Sequence, residues 1–530
     1  MIHLRKQTLA LVFGSFLGCA AVHGALVPVT SDIAAGTTQT WYATNTYLLN
    51  TIIYVQSNAV LNIEAGTVIY GATNVTVART DIPNLVSALW VTRGGKLDAQ
   101  GTVDKPIIFT AEGDDLAGRY GPSDTGLWGG VVLMGKGLLN TAKDVVGNAA
   151  SPKHDVYEGV DGPGPNGEHI FGGGDDEDSS GVLKYVSIRH AGNEFAPASE
   201  LNALTMGAVG RGTVVEYVET YAGSDDGFEW WGGAVNGSHL VSAFCEDDDF
   251  DTDQGYRGTN QFLFAIKYPG VGTGDSRGFE SDGDLNQSAR GEQPLSKWVV
   301  YNATLIGRGK TETSGGLGVA WNTRDESAPN VFNSVFAGWN QGLKLDTDGL
   351  LHFTNSLVEA FVENNLWDVN TGSDAAGAFL FTTAGFANSV EDAKLGGVSY
   401  LPDGKLDPRP QSGSPALGNV KSGAPVEVSY RGAFSGPTDN WADEWTTLAR
   451  LGYLAPAQPA PSMLIANYES GFLRFSILSQ TGYRYSLQTS ATIVPSGWNT
   501  ISTMSGTGQV LEFPPIATSD PTGFFRVMVE

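Results

Sequence analysis

The chain has 530 residues, more than one compact core accommodates, so at least two structural units are expected. A formal net charge of −26, with no long basic run, excludes nucleic acid and anionic membrane as partners and favours a cation. Charged residues make up only 17% and Gly is frequent, at 69 residues, so the composition predicts β-structure with many tight turns.

Residues 1–24 have the pattern of a secretory signal peptide. Arg5 and Lys6 precede the apolar run TLALVFGSFLGCAAV, which is too short and too interrupted by Gly for a membrane span. Cys19 offers a site for lipid anchoring, although Phe16 stands where Leu is usual in such a signal. No later segment resembles a membrane helix, so we expect an exported protein, extracellular or at the cell surface. Cys245 then has no disulfide partner and is expected to be a small buried residue.

Short strand patterns begin at residue 47. The segments 47–71 and 87–111 alternate apolar and polar residues and have Gly at their turns, which is typical of strands and not of helices. From residue 181 the pattern becomes regular, with predicted strands at 182–192, 214–223, 238–247, 262–270, 298–307, 330–338 and 350–359. Their aromatic or Leu markers recur at a minimum spacing near 21–24 residues, which predicts a solenoid with insertions on its flank.

Four blocks carry a family resemblance: GKLDAQGT…PIIFTA, DDGFEWWGG, DDDFDTDQGYRG and YRGAF…NWADEWT. Over roughly residues 40–452 the chain resembles the right-handed parallel β-helix proteins of the pectate-lyase-like superfamily. The resemblance implies an all-β solenoid over 25–453, ending in a closing segment at about 396–453 whose short helix, around 442–451, caps the last coil. A Pro/Ala linker at 454–463 then leads to a small C-terminal β-sandwich domain at 464–530.

Three acidic stretches recur on successive predicted coils: SDDGFEWWGG, EDDDFDTDQG and SRGFESDGD. Aligning the phenylalanine of each stretch as an inward residue stacks Glu229, Asp251 and Glu280, and likewise Asp253 and Asp282. Strands lie about 4.8 Å apart, and like charges about 5 Å apart repel by about 3 kcal/mol at an effective dielectric of about 20. Between residues 225 and 284 there are thirteen acids and only three bases, so local ion pairing is insufficient.

Oxygen ligands in excess, without a His or Cys cluster, select Ca²⁺ over zinc or copper. We therefore predict one or more Ca²⁺ sites, with the candidate ligands Asp225, Asp226, Glu229, Asp247, Asp248, Asp249, Asp251, Asp253, Glu280 and Asp282. The stretches 172–181 (GGGDDEDSSG) and 344–349 (KLDTDG) are candidates for another site. The alternative is a hydrated acidic ridge that keeps the particle soluble, because the spacing does not match an EF-hand loop.

One functional hypothesis is a non-enzymatic surface protein that binds a polysaccharide or a cell-surface glycan, or is presented to it. Trp230, Trp231 and Tyr256 follow acidic residues and would stack on sugars if they were exposed. In a regular strand only one of the two adjacent tryptophans points inward, so the other is exposed or lies under a loop.

The competing hypothesis is an enzyme. Similarity to the pectate-lyase-like superfamily implies a Ca²⁺-dependent polysaccharide lyase, in which Arg257 or Arg277 would remove the α-proton of a uronate. Each arginine would otherwise serve as an ion-pair partner of the surrounding carboxylates. The paired aspartates of DTD, at 251–253 and 346–348, also raise glycoside hydrolysis, but the GHG and RIK blocks of that family are missing.

Overall fold

A computed structural model of the chain gives an all-β fold, with 43% of its residues in strands and 3% in helices. It describes residues 24–140, 153–160, 162–196, 199–270, 272, 276–283, 293–345, 360–456, 464–479, 483–491, 498–507, 509–517 and 524–529. The predicted signal peptide up to residue 23 with Cys19, the linker from residue 457, the strand at 350–359 and the second DTD stretch lie outside the described residues.

The strands and helices of the described residues are short. The strands of the first part are β1 (Leu26–Val29), β2 (Thr38–Trp41), β3 (Thr46–Leu49), β4 (Ile52–Val55), β5 (Val60–Ile63), β6 (Val68–Gly71), β7 (Ala88–Val91), β8 (Lys96–Gln100), β9 (Ile107–Ala111), β10 (Gly130–Met134), β11 (His154–Val156), β12 (Ile170–Gly172), β13 (Gly181–Arg189), β14 (Glu194–Ala196), β15 (Ser199–Glu200) and β16 (Leu204–Gly207). The next are β17 (Val214–Tyr221), β18 (Phe228–Trp231), β19 (Asn236–Ala243), β20 (Phe250–Asp253), β21 (Thr259–Ile266), β22 (Phe279–Ser281), β23 (Val299–Ile306), β24 (Val319–Thr323), β25 (Asn330–Phe332), β26 (Val335–Leu345), β27 (Phe361–Glu363), β28 (Leu366–Ser373), β29 (Ser389–Val390), β30 (Leu395–Gly397) and β31 (Asp407–Pro410). The last are β32 (Ile465–Glu469), β33 (Phe472–Leu478), β34 (Arg484–Ser490), β35 (Asn499–Ser505), β36 (Val510–Glu512), β37 (Ile516–Ala517) and β38 (Phe524–Val529). Helices are α1 (Phe379–Thr382) and α2 (Thr447–Arg450), with 3-10 turns at Gly315–Gly318 and Ala384–Phe386.

The solenoid is a right-handed parallel β-helix with three sheets, as predicted. Sheet 1 stacks β1, β3, β6 and β9 and continues through the C-terminal halves of β13, β17, β19, β21 and β23. Sheet 2 stacks β2, β5 and β8 and continues through the N-terminal halves of the same long strands. Sheet 3 stacks β4, β7, β10, β16, β18, β20, β22 and β24. Each coil therefore contributes one rung to each sheet.

Inward side chains of successive coils stack into one continuous core. Phe228, Phe250 and Phe279, the phenylalanines of the three acidic stretches, pair in register and are fully buried. Their ring centroids are 5.3 Å and 5.8 Å apart. Cys245 is also buried and forms no disulfide. The sequence alignment of the acidic stretches is confirmed by this register.

The long strands cross from sheet 2 to sheet 1 through a single residue in the left-handed backbone region. Tyr185, Tyr217, His239 and Phe262 occupy this corner, with φ between 49° and 60°. A non-glycine residue pays roughly 1–2 kcal/mol for that conformation, and the stacking of the corner side chains offsets part of it. The Tyr185 and Tyr217 rings stack at 4.5 Å, and those of Tyr217 and His239 at 4.3 Å. This corner is why one apolar pattern in the sequence spans two sheets.

The helix of the predicted closing segment lies along the side of the solenoid and not on its last coil. The backbone N–H of Thr447, at the start of α2, donates to Glu219 on the outside of sheet 1 (2.7 Å). Trp445 and Leu448 pack in the same buried cluster as Phe244. The last coil is covered instead by α1, from which Leu380 enters the solenoid core. Apolar side chains around α2 pack on the outward apolar side chains of sheet 1. Burial of both sets of side chains determines where this segment lies.

The C-terminal residues form two small antiparallel sheets. One contains β32, β33, β36 and β37, and the other contains β34, β35 and β38. Residues of both sheets, including Phe475, Tyr485, Leu487 and Leu511, share one hydrophobic cluster. The β-sandwich topology and the domain boundaries remain predictions. In the described part of the chain, no helix has the length and apolarity needed to cross a membrane.

Candidate metal centre on sheet 3

The three acidic stretches occupy neighbouring coils of sheet 3. Glu229 in β18 pairs with Asp251 in β20, which in turn pairs with Glu280 in β22. Thr252 pairs with Ser281, so the residues that follow them, Asp253 and Asp282, also lie on neighbouring coils at equivalent positions. Residues alternate between the two faces of a strand, so the residues next to the inward phenylalanines project from the outer surface of the solenoid.

The turns before these strands explain why acidic residues recur at this edge. Asp226 accepts a hydrogen bond from the backbone N–H of Asp248 (2.8 Å), and Asp248 accepts one from the N–H of Arg277 (2.5 Å). Each carboxylate therefore satisfies a backbone donor of the next coil that burial would otherwise leave without a partner. Acidic residues at these turn positions hold successive coils in register.

Five carboxylates meet where these turns join sheet 3: Asp225, Asp226, Glu229, Asp247 and Asp251, called the carboxylate cluster below. Carboxylate oxygens of Asp225, Asp226 and Asp247 lie within 4.8 Å of one another, as do those of Asp226, Glu229 and Asp251. Asp226 belongs to both groups and is only 7% exposed. Among the described residues, no Lys or Arg forms an ion pair with Asp225, Asp226, Glu229 or Asp251.

Burial and mutual repulsion act together on the cluster. Burial, followed by the charges of neighbouring carboxylates, raises the pKa of Asp225, Asp226, Glu229 and Asp251 well above the ordinary value. Two full charges 4.8 Å apart repel by about 3.5 kcal/mol at an effective dielectric of about 20. At neutral pH the cluster must therefore either retain protons or bind a cation.

Hydrogen bonds orient two members of the cluster. Glu229 accepts from the side-chain amide of Asn202 and from the indole N–H of Trp231. Asp251 accepts from the backbone N–H of Thr252 (2.7 Å). These donors fix the two carboxyl groups without neutralising them, so the oxygens are placed before any ligand binds.

Two further acids approach the cluster from insertions that the sequence reasoning missed. Glu158 follows β11 and Glu200 ends β15, and the charges of both raise the pKa of Asp225. Among neighbouring charges, that of Glu158 has the largest effect on the pKa of Glu229. The preceding Tyr157 is fully buried, with its ring 4.6 Å from that of Trp231, and it anchors this insertion on sheet 3. Neither acid belongs to a strand repeat, so no period in the sequence points to it.

Arginines hold three of the predicted ligands at the far side of the cluster. Arg277 lies 2.5 Å from Glu280 and 3.8 Å from Asp248. Arg324, which follows β24, lies 2.8 Å from Glu280 and 2.7 Å from Asp282. The sequence count of bases stopped at residue 284 and missed Arg324, because the next coil of sheet 3 begins only after an insertion.

The negative charge of Asp249 is also balanced by a cationic side chain. The ammonium group of Lys267 is fully buried 3.3 Å from the Asp249 carboxylate and also donates to the carbonyls of Cys245 and Asp247. Asp253 accepts from the backbone N–H of Gln254 (2.5 Å). The ten predicted ligands thus divide into the five acids of the carboxylate cluster, four acids that contact a Lys or Arg side chain, and Asp253.

The acidic stretch 172–181, all of which the structure describes, does not form a comparable group. Asp176 binds both Arg257 and the backbone N–H of Leu138, and Asp178 accepts from the N–H of Lys136. In this part of the chain the carboxylates of 172–181 therefore serve as structural partners. The stretch 344–349 lies outside the described residues from 346 onward.

Both arginines predicted as catalytic bases are held in ion pairs. The side chain of Arg277 is 3% exposed and binds Glu280. Arg257 donates to both carboxylate oxygens of Asp176 (2.8 Å each) and to the carbonyl of Gly255 (2.6 Å). A base has to reach the substrate proton within hydrogen-bond distance. The Arg277 side chain is buried, and the Arg257 side chain, 16% exposed, is held by Asp176.

The aromatic residues predicted to contact sugars are buried, which corrects that expectation. Trp230 and Tyr256 are at most 1% exposed and stack inside the solenoid, with centroids 5.3 Å apart. Trp231 points outward but is only 3% exposed, because Tyr157 and Phe171 of the insertion cover it. The second tryptophan therefore lies under a loop, and none of the three rings presents a face for sugar stacking.

The donor set of the carboxylate cluster suits Ca²⁺. The two groups contain oxygen ligands alone, without His or Cys among the described residues that form them. Ca²⁺ takes 6–8 oxygens at flexible geometry, whereas Mg²⁺ demands a rigid octahedron. The five carboxyl groups of the cluster, each able to bind through one or two oxygens, provide ligands of the kind that Ca²⁺ takes.

Comparison with known families agrees with this architecture. Residues 33–399 match the family model described as a pectate-lyase like beta helix domain. The match spans more than half of the chain, so the chain belongs to this family. No curated protein matches the sequence. Membership supports a polysaccharide-related role.

Proposed function

We propose that this member of the pectate-lyase-like β-helix family is an exported Ca²⁺-binding protein that binds acidic polysaccharide without cleaving it. The observation that carries the proposal is the carboxylate cluster on sheet 3. Its oxygens form two groups of three, within 4.8 Å of one another in each group, and the groups share the buried Asp226. Four of the five acids have no ion-pair partner among the described residues. A divalent cation is the simplest way to hold such a group ionised.

Calcium would change how this surface meets an acidic polymer. Without a cation, the cluster adds to a formal net charge of −26 and repels a polyanion. With Ca²⁺ bound by Asp225, Asp226, Glu229, Asp247 and Asp251, the local charge falls. Asp225 and Asp247 are only partly buried, so the site is open on their side. A coordination position on that side is available to a carboxylate of the polysaccharide.

A binding role fits the surroundings of the cluster better than a lyase. Lyase chemistry at a uronate needs a base beside the metal, and the two arginines nearest in sequence are engaged by Glu280 and Asp176. Metal-assisted binding requires no such base. A location outside the cell rests on the sequence of residues 1–24, and N-terminal sequencing of the secreted protein tests it by the cleavage point.

The deciding experiment measures binding and cleavage in the same samples. The purified protein is run through gels that contain an acidic polysaccharide, in millimolar Ca²⁺ and in EDTA, while ultraviolet absorbance reports unsaturated uronides. We expect retardation in Ca²⁺ only, its loss in Asp226→Asn, and no absorbance change. Asp176→Asn, which alters an ion-paired acid on the same solenoid, is the control and should keep Ca²⁺-dependent retardation.

Absorbance that grows in Ca²⁺ and disappears in Asp226→Asn would replace the binding role with a lyase. Retardation that is equal in EDTA and in Ca²⁺ would remove the metal from the proposed function.

A further inference from the structure

A second candidate site lies on the outside of sheet 2, away from the carboxylate cluster. A groove of about 550 Å³ runs across three consecutive coils, over the N-terminal halves of β17, β19 and β21. Its floor is made by outward residues of these strands, and Val426 and Arg211 stand at its edges. All residues that line it belong to the described parts of the chain.

The floor combines apolar patches with uncharged hydrogen-bonding groups. Val214 is 37% exposed and Val426 is 55% exposed, so the groove presents apolar surface to solvent. Asn236, Ser238 and Thr259 lie among them on the floor. Apolar area with a few polar groups at fixed positions is the composition of ligand-binding clefts.

The groove is electrically close to neutral although the chain is strongly acidic. The carboxylate of Glu216 in the floor is 2.8 Å from the ammonium group of Lys184. Arg211 is 2.9 Å from Glu177. Glu216 and Arg211 at the groove therefore each have an opposite partner, so the groove offers no net charge to attract an ion.

The wall formed by Pro425 and Val426 is fixed before any ligand arrives. The side-chain amide of Gln261 donates to the carbonyl of Val426 (2.8 Å) and accepts from its backbone N–H (2.9 Å). This pair of bonds replaces the strand partner that the segment lacks and closes one end of the groove. A preformed wall reduces the ordering cost of binding.

We propose that this groove binds an uncharged stretch of polysaccharide that lies along the solenoid axis, and that this binding needs no calcium. Equivalent residues of neighbouring coils repeat every 4.7–4.9 Å or so along that axis, so an extended polymer meets one set of contacts per coil. Its C–H faces match the valines and its hydroxyl groups match the amide and hydroxyl side chains. The inference rests on the polysaccharide-related role of the family and not on the metal.

The test uses the full chain in EDTA and three soluble neutral polysaccharides, a β-glucan, a mannan and a xylan, each cast into a native gel. Asn236→Trp fills the floor of the groove. Asn62→Trp is the matched control, because Asn62 projects from the same sheet, in the same column of stacked residues, several coils away. Val214→Asp, which places an unpaired charge on the floor, is the second variant.

We expect the unmodified protein to be retarded by at least one of the three polymers in EDTA. Asn236→Trp and Val214→Asp should weaken this retardation at least tenfold, while Asn62→Trp keeps it. Thermal unfolding of each variant verifies that the solenoid is intact. If Asn236→Trp unfolds, Val214→Asp decides.

The proposal is overturned if the unmodified protein passes all three gels without retardation, or if both groove variants are retarded as strongly as the control. Failure here is distinguishable from failure of the calcium hypothesis. Ca²⁺-dependent retardation by an acidic polysaccharide depends on Asp226 and should survive Asn236→Trp.

Discussion

Neutralising one carboxylate at the centre of the cluster should have opposite effects with and without calcium. Asp226 takes part in both groups of close oxygens, and Asn in its place keeps an acceptor for the N–H of Asp248. Without metal, Asp226→Asn removes repulsion, and the variant should be more stable than the unmodified protein. With metal, the variant lacks a ligand and should gain less stability from Ca²⁺.

The geometry gives the size of the effect. Each neighbouring carboxylate within 4.8 Å repels a charged Asp226 by about 3.5 kcal/mol at an effective dielectric of about 20. Protonation relieves this repulsion, and at pH 7 its cost is limited to about 4 kcal/mol, since pH 7 is about 3 units above the ordinary pKa and each unit is worth 1.36 kcal/mol. We therefore expect Asp226→Asn to raise the free energy of unfolding in EDTA by about 2–4 kcal/mol.

Calcium should stabilise the unmodified protein more than the Asp226→Asn variant. At a Ca²⁺ concentration one hundred times the Kd, the unmodified protein gains about 2.7 kcal/mol. A tenfold weaker site in the variant reduces this gain by about 1.4 kcal/mol. Thermal unfolding in EDTA and across a Ca²⁺ titration measures both quantities, and equilibrium dialysis gives the number of ions bound.

The control is Asp176→Asn, in which the substituted carboxylate has Arg257 as a partner. That variant should be less stable in both conditions, with an unchanged response to Ca²⁺. If Asp226→Asn were destabilising in EDTA and kept the full response to Ca²⁺, the cluster would be a hydrated acidic ridge, and the reasoning from repulsion would be wrong.

Three further outcomes are expected. In EDTA the free energy of unfolding should fall as pH rises from about 4 to about 7. The pKa values of the cluster are raised, and that of Asp282 is about 7, so the native state binds more protons than the unfolded chain over this range. Ca²⁺ should make the free energy of unfolding depend less on pH, and urea titrations at each pH measure this dependence. Arg324→Ala should lower the free energy of unfolding by about 1–3 kcal/mol, because the buried Glu280 and Asp282 lose their shared partner while solvent screens part of the loss at the 37%-exposed Arg324 side chain. It should leave the number of bound Ca²⁺ ions unchanged, and a variant of unchanged stability in urea would refute this. Trp231→Ala should cost about 3–5 kcal/mol and make residues 153–172 sensitive to protease, because the ring anchors this insertion; unchanged digestion would argue against that anchoring.

The solenoid could be predicted because its information is local and repeated. Apolar alternation, glycine turns and a spacing near 21–24 residues recur on every coil, and the parallel pairing of neighbouring coils brings repeated positions together. The pairing of Glu229 with Asp251 and of Asp251 with Glu280 follows from this repeat, and the structure has the same register. A repeat fixes which residues are stacked, but it leaves open what the insertions between strands do.

The insertions decided the points that the sequence missed. Tyr157 and Phe171 bury Trp231, and Glu158 and Glu200 approach the cluster, although none of these four belongs to a coil repeat. A contact between distant segments also decided the position of the closing segment. Its helix was expected on the last coil and lies on sheet 1 beside Glu219. Contacts between segments far apart in sequence have no period to reveal them.

The sequence by itself determined a solenoid of short strands, the inward phenylalanines and the stacking of acids on one sheet, because these depend on strand period and coil length. The right-handed parallel β-helix followed from the family resemblance. Only the tertiary structure decided which of those acids are compensated. Arg324 reaches Glu280 and Asp282 from the next coil, and Lys267 reaches Asp249 through the interior. Charge compensation depends on distances of a few ångströms between side chains from different coils, and a count of acids and bases along the chain does not contain those distances.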